Sequence, residues 1–386
     1  MDAEKLLEII ANGETSKVQF KEAFSNADSI AAELVAFSNA KGGMILFGIN
    51  DKTGAVTGLD FASLREIGSK MSQIATDLVR PIIPITTEVI ALQYDGETRR
   101  VLVVYVEEGT AKPYKDRNGT IWMKQGSDKR KLTENAEIIR LFQQSGIVFT
   151  DEMTVPDTSL DDTDERLIKD YLSRISNEDM DVSEAICQNL NILKNGRLTL
   201  GGLLFFGKEP QRFRPAFCVK AVSFYGNDLA GSSYRDSIDI VGVIPDIFKG
   251  MMSFLKNNLH HTQQGQNFNS TGILEISEIA LEELCQNALT HRDYSKNASV
   301  NLLIFDNRVE IISPGSLPNS LTIENIKMGN AVMRNPLIAS FCAKTMKYRG
   351  LGSGIVRALK EQPDIQFVND SNGEQFKVII PRKNAD

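Results

Sequence analysis

Two residues one helical turn apart give the first chemical lead. Glu283 and Asn287 stand at i and i+4 in "EIALEELCQNALTHRDY", residues 278–294. Ala280, Leu281, Leu284 and Ala288 recur there at helical spacing, which puts both polar side chains on one face. A carboxylate one turn from a carboxamide suits metal-assisted activation of water. The Asn oxygen is a ligand that Mg²⁺ accepts, usually shared with phosphates, and the Glu polarises the attacking water. By itself such a pair is more often a solvated helix face. His291 and Arg292 continue the same helix, where a histidine commonly caps or packs. Further on, "KYRGLGSGIV" (347–356) sets Gly350, Gly352 and Gly354 ahead of an apolar, helix-like run. Glycines so placed let backbone N–H groups close on phosphate, and the positive end of the next helix adds to the attraction.

A third cluster is basic. Between residues 112 and 131 lie Lys112, Lys115, Arg117, Lys124, Lys129, Arg130 and Lys131, against only Asp116 and Asp128. Tyr114 and Trp122 are interleaved. The pattern fits contacts to phosphate combined with stacking on exposed bases, and Lys21 and Lys41 extend it. The competing reading is a solvated hairpin with a core Trp.

Two lookalikes fall away. Gly202, Gly207 and Lys208 match the start of a P-loop, but Glu209 stands where Mg²⁺ needs a hydroxyl, and the intervening "LLFF" is bulky and apolar. A Rossmann reading of the late glycines needs a strand before them and a βαβ unit after, for which too little chain follows.

The elements that must position these residues fall into three blocks: 1–150, 151–265 and 266–386. Residues 151–165 carry seven acidic residues, Pro156 and no basic ones, the mark of a solvated linker. A softer boundary lies in the polar stretch 260–272. The first block predicts a helix in "AEKLLEIIANG", a strand in "SKVQFKEA", and a helix in "DSIAAELVAFSNAKGG" with Asp28 as N-cap. A hairpin turns around residues 52–54, a helix covers about 62–79, and three further strands follow. In the middle block "LTLGGLLFFG" and "AFCVKAVSFYG" read as strands, with helices near 164–175 and 240–258. The third block gives helix, hairpin (299–305 and 309–313), a Pro314-Gly315 break, a long polar segment, the glycine triplet and a helix.

With 386 residues, 42% of them hydrophobic and 24% charged, the composition is that of a globular protein of two or three domains. No apolar run approaches the roughly 18 residues that cross a bilayer, so no membrane partner is expected, and "MDAEKLLEII" does not read as a secretory leader. Cys187, Cys218, Cys285 and Cys342 form no C-x-x-C pair, which fits a reducing cytoplasm. A net charge of −7 confines nucleic-acid binding to a local patch.

The ordered motifs of the third block resemble the GHKL (gyrase, Hsp-ninety, histidine-kinase, MutL) ATPases. "EELCQNAL" is similar to their N-box, "SPGSLP" falls at their first glycine box, and "RGLGSGIVRAL" looks like their second. "NALTHRDYS", "VEIISPGSLP", "RNPLIA" and "YRGLGSGI" together resemble a bacterial branch with an N-terminal Schlafen AlbA-like domain, often labelled DNA-binding or transcriptional regulators. The resemblance spans nearly the whole chain. It implies a multidomain α+β fold: an N-terminal Schlafen AlbA-like domain, a mixed α/β middle block and a C-terminal Bergerat-type α/β sandwich. It also implies ATP and Mg²⁺ at Glu283, Asn287, His291, Ser313, Gly315, Arg334, Lys347, Gly350, Gly352 and Gly354, under a lid of residues 316–349. Ser313 stands where the usual Asp reads the adenine amino group.

"ETSKVQFKEAF" resembles the opening of AlbA-like domains, whose nuclease members hold a divalent metal on two glutamates and a later aspartate. Glu14 matches, Gln19 replaces the second acid, and Asp51 is the third candidate. A carboxamide brings no charge, so the resemblance implies at most a vestigial nuclease. The expected function is an ATP-binding, nucleic-acid-associated cytoplasmic regulator, a homodimer, in which Mg·ATP controls a basic DNA- or RNA-binding domain and is hydrolysed slowly if at all. The alternatives are an ATP-gated, metal-dependent ribonuclease and a non-enzymatic interaction module with a degenerate nucleotide site.

Overall fold

The computed structural model describes residues 1–386 apart from 177–179, 230–232, 263–271, 319–320, 347–351 and 383–386. Lys347 and Gly350 therefore lie outside the described residues. The chain divides into two compact units, Met1–Val148 and Phe149–Asp386. Both are mixed α+β.

The first unit is built on a four-stranded sheet. Its strands are β1 (Val18–Lys21), β2 (Gly43–Phe47), β3 (Ile85–Tyr94) and β4 (Glu97–Val106), in the spatial order β1-β2-β4-β3. Only the β1–β2 pair is parallel, with Gln19 opposite Ile45. The central strand β2 and the second half of β4 are buried on both faces because they are near-continuous apolar runs, whereas edge strand β3 is largely exposed. Leu102 and Val104 point to one core with helices α2 (Ala27–Asn39) and α3 (Phe61–Asp77). Val101 and Val103 point to the other, closed by α1 (Ala3–Ala11). The cap of α2 is Asn26 and not the expected Asp28: the Asn26 Oδ1 accepts from the Asp28 N–H at 2.8 Å. Asp28 falls inside the first turn, where its charge still favours the helix dipole. A ribbon of β5 (Trp122–Gln125) and β6 (Asp128–Lys131) carries much of the basic run.

The second unit holds α4 (Glu165–Ile175), α5 (Leu200–Phe206), β7 (Val219–Phe224), β8 (Tyr234–Ile240), α6 (Ile244–Asn258), α7 (Glu278–Thr290), β9 (Val300–Ile304) and β10 (Arg308–Pro314). Then come α8 (Ile323–Lys327), α9 (Pro336–Thr345), α10 (Ser353–Glu361), β11 (Gln366–Asp370) and β12 (Gln375–Pro381). Six strands form one sheet in the order β8-β7-β9-β10-β12-β11, with β7–β9 parallel. Strands β7 and β8, from the segment read as a middle block, thus pair directly into the sheet of the last block. Period-two alternation sorts the faces: Val219, Ala221, Leu302 and Ile304 meet the helices, while Val222, Phe224, Leu303 and Phe305 point away.

"LTLGGLLFFG" is the helix α5 and not the expected strand. A short run that is apolar throughout has no period to read. The local signals decide it: the Thr199 hydroxyl caps the helix by accepting from Gly202 N–H at 3.0 Å. Gly202 lies against Ile192, whose carbonyl oxygen would be 2.3 Å from any Cβ there, so the glycine is packing and not a phosphate loop.

Asp151, fully buried at the start of this unit, caps α9 from outside: its Oδ2 accepts from the Ile338 N–H at 2.9 Å. Burial nevertheless pushes its carboxyl up to about 6. The folded state then holds a proton between about pH 4 and 6 that the unfolded chain has released, so this group costs stability as pH rises through that window. Asp151→Asn keeps the acceptor without the charge. Thermal melts should show wild type and variant alike at pH 4 and the variant more stable at pH 7.5, on the order of 2 kcal/mol. A gain of equal size at both pH values would refute the burial argument.

Candidate nucleotide-binding site

The cavity in the second unit has a volume of about 1090 Å³, mouth included, and it gathers residues from six helices and strands and the turns between them. Helix α7 brings Glu283, Asn287 and His291, β10 brings Ser313, and the turn after it brings Gly315. Arg334 precedes α9, and Gly352 and Gly354 open α10. Eight of the ten residues expected to bind nucleotide therefore line one space, and the other two, Lys347 and Gly350, lie outside the described residues.

Glycine is needed at Gly352 and Gly315, and at Gly354 a side chain would displace the end of Glu283. Gly352 adopts φ +70° and a Cβ there would sit 2.0 Å from the Gly329 carbonyl oxygen. Gly315 has φ +96°, and a Cβ would meet Asp293 at 2.3 Å and the Arg334 Nη1 at 2.7 Å. At Gly354 the obstacle is the Glu283 Oε2, 2.4 Å away, with Asn287 Nδ2 at 3.3 Å. Helix α10 thus begins hard against the polar face of α7. The turn at Gly315 is fixed by its N–H donating to the Glu374 carbonyl at 2.7 Å and by Asp293 N–H on the Pro314 carbonyl at 2.9 Å.

The cavity has two characters. Glu283 and Asn287 meet the opening turn of α10, Arg334 stands two turns further along α7 beside Gly315, and the apolar wall is Leu284, Ile311, Leu317, Ile326 and Phe367. Arg334 donates to the Ser316 carbonyl at 2.7 Å and the His291 carbonyl at 3.3 Å. Burial weighs against its charge and Asp293 supports it. Burial, with the Arg334 guanidinium, lowers His291 to about 4, so the imidazole is neutral at pH 7. The Ser313 hydroxyl donates to the Ala288 carbonyl at 2.9 Å, which commits its proton and leaves its lone pairs as acceptors.

Sequence reasoning missed two residues here. Arg357, one turn into α10, lines the cavity and pairs with Glu283. It stands three residues after Gly354 on the expected helix, and that spacing could have flagged it. Asn335, fully buried, donates from Nδ2 to the Thr290 and Arg292 carbonyls at 2.9 and 2.7 Å.

In the first unit the basic run does not form an open patch. Lys112 is buried and its ammonium donates to Glu108 Oε1 at 2.6 Å and to the Ala40 carbonyl at 3.2 Å. Lys124 is buried too, donating to Gln19 Oε1 at 2.9 Å and the Ser127 carbonyl at 2.6 Å, with Glu33 at 3.5 Å. Lys129 pairs with Glu33, Arg117 with Asp28, and Arg130 with Glu137. Tyr114 is 4% exposed, and Trp122 is half-buried with its Nε1–H on Asp116 at 2.8 Å. The nucleic-acid role expected of Lys112, Lys124 and Tyr114 is therefore corrected: none reaches the surface. The partners come from α2 and other segments that a contiguous charge count does not sample. Lys115, Lys21 and Lys131 keep some or all of their exposure, Lys131 lying over the Trp122 ring.

Glu14 and Gln19 do come together, since Gln19 Nε2 and Phe20 N–H both donate to Glu14 Oε1. Asp51 is exposed in the turn after β2. Among the described residues no group of three His, Cys, Asp or Glu is arranged to hold a metal ion. Glu33 was the missed residue, and a lone acid in the apolar "IAAELVAF" was its signal. Because buried Lys124 donates to Gln19 and the Ser127 carbonyl while Lys129 still pairs with Glu33, Lys124→Met should destabilise the protein by about 2 kcal/mol through those unmade hydrogen bonds, read by chemical denaturation. Lys131→Ala should stay within about 0.5 kcal/mol; equal effects would contradict the burial difference.

Comparisons with known proteins accord with both regions. Residues 14–133 match the Schlafen AlbA_2 family. Residues 297–380 match HATPase_c_4, described as "Putative ATP-dependent DNA helicase recG C-terminal". Residues 140–220 match a domain of unknown function, DUF8451. No curated protein matches the chain. Among solved structures, the DIP2311 protein from Corynebacterium diphtheriae is 20% identical with a TM-score of 0.48, over 99% of this chain and 80% of that one. No helix among the described residues is long and apolar enough to cross a membrane. The chain thus joins an N-terminal region of the Schlafen AlbA_2 type to a C-terminal region of the HATPase_c_4 type, the architecture its motifs led one to expect.

Proposed function

We propose that the second unit binds Mg·ATP in the cavity and that nucleotide occupancy regulates a nucleic-acid-binding first unit. The observation that carries this reading is the convergence of Glu283, Asn287, Gly315, Arg334, Gly352 and Gly354 on one space. The fit is chemical as well as spatial. The apolar wall suits a purine ring, and the glycine turn with Arg334 suits phosphates. Asn287 supplies one oxygen to the cation, with phosphate oxygens completing its shell, so no cluster of acids is required. Bound Mg·ATP would supply the transferable phosphoryl group and the charge that neutralises it. The protein orients it: Ser313 accepts from a base amino group, and Arg334 opposes phosphate charge. Glu283 takes the proton of an attacking water when hydrolysis occurs.

In the first unit the exposed Lys131 and the half-buried Lys115 and Lys21 are the proposed contacts to DNA or RNA backbone. The protein is proposed to act as a cytoplasmic homodimer in transcription regulation, as the motif resemblance implies. A metal-dependent nuclease is disfavoured by the Gln19–Lys124 contact, which puts a fixed cation beside the acids.

Calorimetric titration of ATP with Mg²⁺ should give binding by wild type and at least about tenfold weaker binding by Asn287→Ala, about 1.4 kcal/mol. No heat from wild type, or undiminished binding by the variant, would sink the site. For the first unit, Lys131→Ala should weaken binding of labelled single-stranded oligonucleotides and lower the salt slope by about 1. An unchanged slope would remove Lys131 from the interface.

A further inference from the structure

The acid that should activate water is not free. Glu283 Oε1 accepts from the Arg357 guanidinium. Its other oxygen faces the start of α10, so close that any Cβ at Gly354 would lie 2.4 Å from it. One oxygen is thus held by the helix that closes the cavity, and the other faces the opening turn of that same helix. The carboxylate side chain is 14% exposed, and Arg357 is 37% exposed. The Arg357 Nε is buried and has no partner among the described residues, so the pair with Glu283 is what anchors the guanidinium.

We infer that Arg357 is a positioning residue that withholds Glu283 from base catalysis, making the cavity a site that holds ATP and does not turn it over quickly. This rests on the nucleotide reading above and deepens it. General-base catalysis needs a carboxylate oxygen within hydrogen-bond reach of the water proton. A charge-assisted bond from guanidinium occupies that acceptor and competes with water for it. In the step being restrained, the water oxygen bonds to the γ-phosphorus and the bond from phosphorus to the β–γ bridging oxygen breaks. Glu283 takes the water proton, leaving ADP and inorganic phosphate. Arg357 touches no reacting atom in this scheme; it acts through the orientation of Glu283. Slow turnover suits a regulator, because the bound state then lasts long enough to be read out elsewhere in the chain.

The test uses the full chain, with ATP and Mg²⁺, measuring affinity by calorimetry and phosphate release by steady-state kinetics. Arg357→Gln removes the ion pair and should raise kcat about tenfold, a part of the usual general-base contribution, with KM and Kd changed less than about threefold. Arg357→Lys restores a cation and should return kcat to the wild-type value. Adding Glu283→Gln to Arg357→Gln should erase the gain. A kcat for Arg357→Gln that is unchanged or lower, with ATP still bound, overturns the inference, as does loss of ATP binding by a folded variant. If the Gln variant does not fold, Arg357→Met, which keeps the packed stem, carries the same expectations. Failure of wild type to bind ATP at all is a separate outcome: it removes the nucleotide site, and the inference falls with it.

Discussion

The candidate site depends on one close approach. Helix α10 starts against α7 with Glu283 Oε2 where a Cβ of residue 354 would point, so a side chain there would have to displace the end of Glu283. Two turns of chemistry meet there: a carboxylate and carboxamide from one helix, and the amide-rich opening of another. Moving α10 outward by the width of a methyl group would open the polar end of the cavity and separate Arg357 from Glu283. Gly352 enforces the same constraint from the other side, since its αL backbone lies against the Gly329 carbonyl. Gly352 is thus needed first for packing, and its fitness for phosphate follows from the geometry that packing creates.

How much of this was legible in the sequence follows from the range of each signal. Helices α1, α3 and α7 and the hairpin β9–β10 have clear periods and turn residues, and they stand where those signals place them. Asn287, Gly352 and Gly354 were legible because spacing along the chain carries the chemistry. The α5 helix was not, because "LGGLLFF" is buried on every side and buried helices and buried strands look alike. The basic run failed for another reason. Its partners Asp28, Glu33 and Glu137 lie outside the counted window, and charge cancellation is a property of three-dimensional neighbours.

The first unit shows what that cancellation costs and gains. A buried ammonium such as Lys124 is disfavoured by desolvation, which lowers its proton affinity, and the Glu33 carboxylate opposes the shift. The pair contributes little net stability against an apolar alternative, yet removing Glu33 leaves the Lys124 ammonium buried without a counter-charge, whereas Glu33 keeps Lys129 if Lys124 is lost. Glu33 on α2, Gln19 on β1 and Lys124 on β5 therefore lock three elements into one register. A cation held this way is a tether for the ribbon, and it is unavailable to a polyanion outside.

A physical route leads from the cavity to the start of the second unit. Arg334, in the cavity wall, is followed at once by Asn335, whose amide grips the carbonyls at the end of α7. Helix α9 begins at the next residue, and the Asp151 carboxylate caps it two residues on. Asp151 lies three residues beyond the point where the two units divide. A ligand that draws the Arg334 guanidinium from the Ser316 and His291 carbonyls acts on a segment whose other anchor is that buried, raised-pKa carboxylate. Packed helices resist gradual deformation and shift as units. Arg334, Asn335 and the Asp151 cap thus hold one continuous packed segment of the second unit at both ends, so a displacement at Arg334 would be resisted by helix packing and not absorbed in a loop.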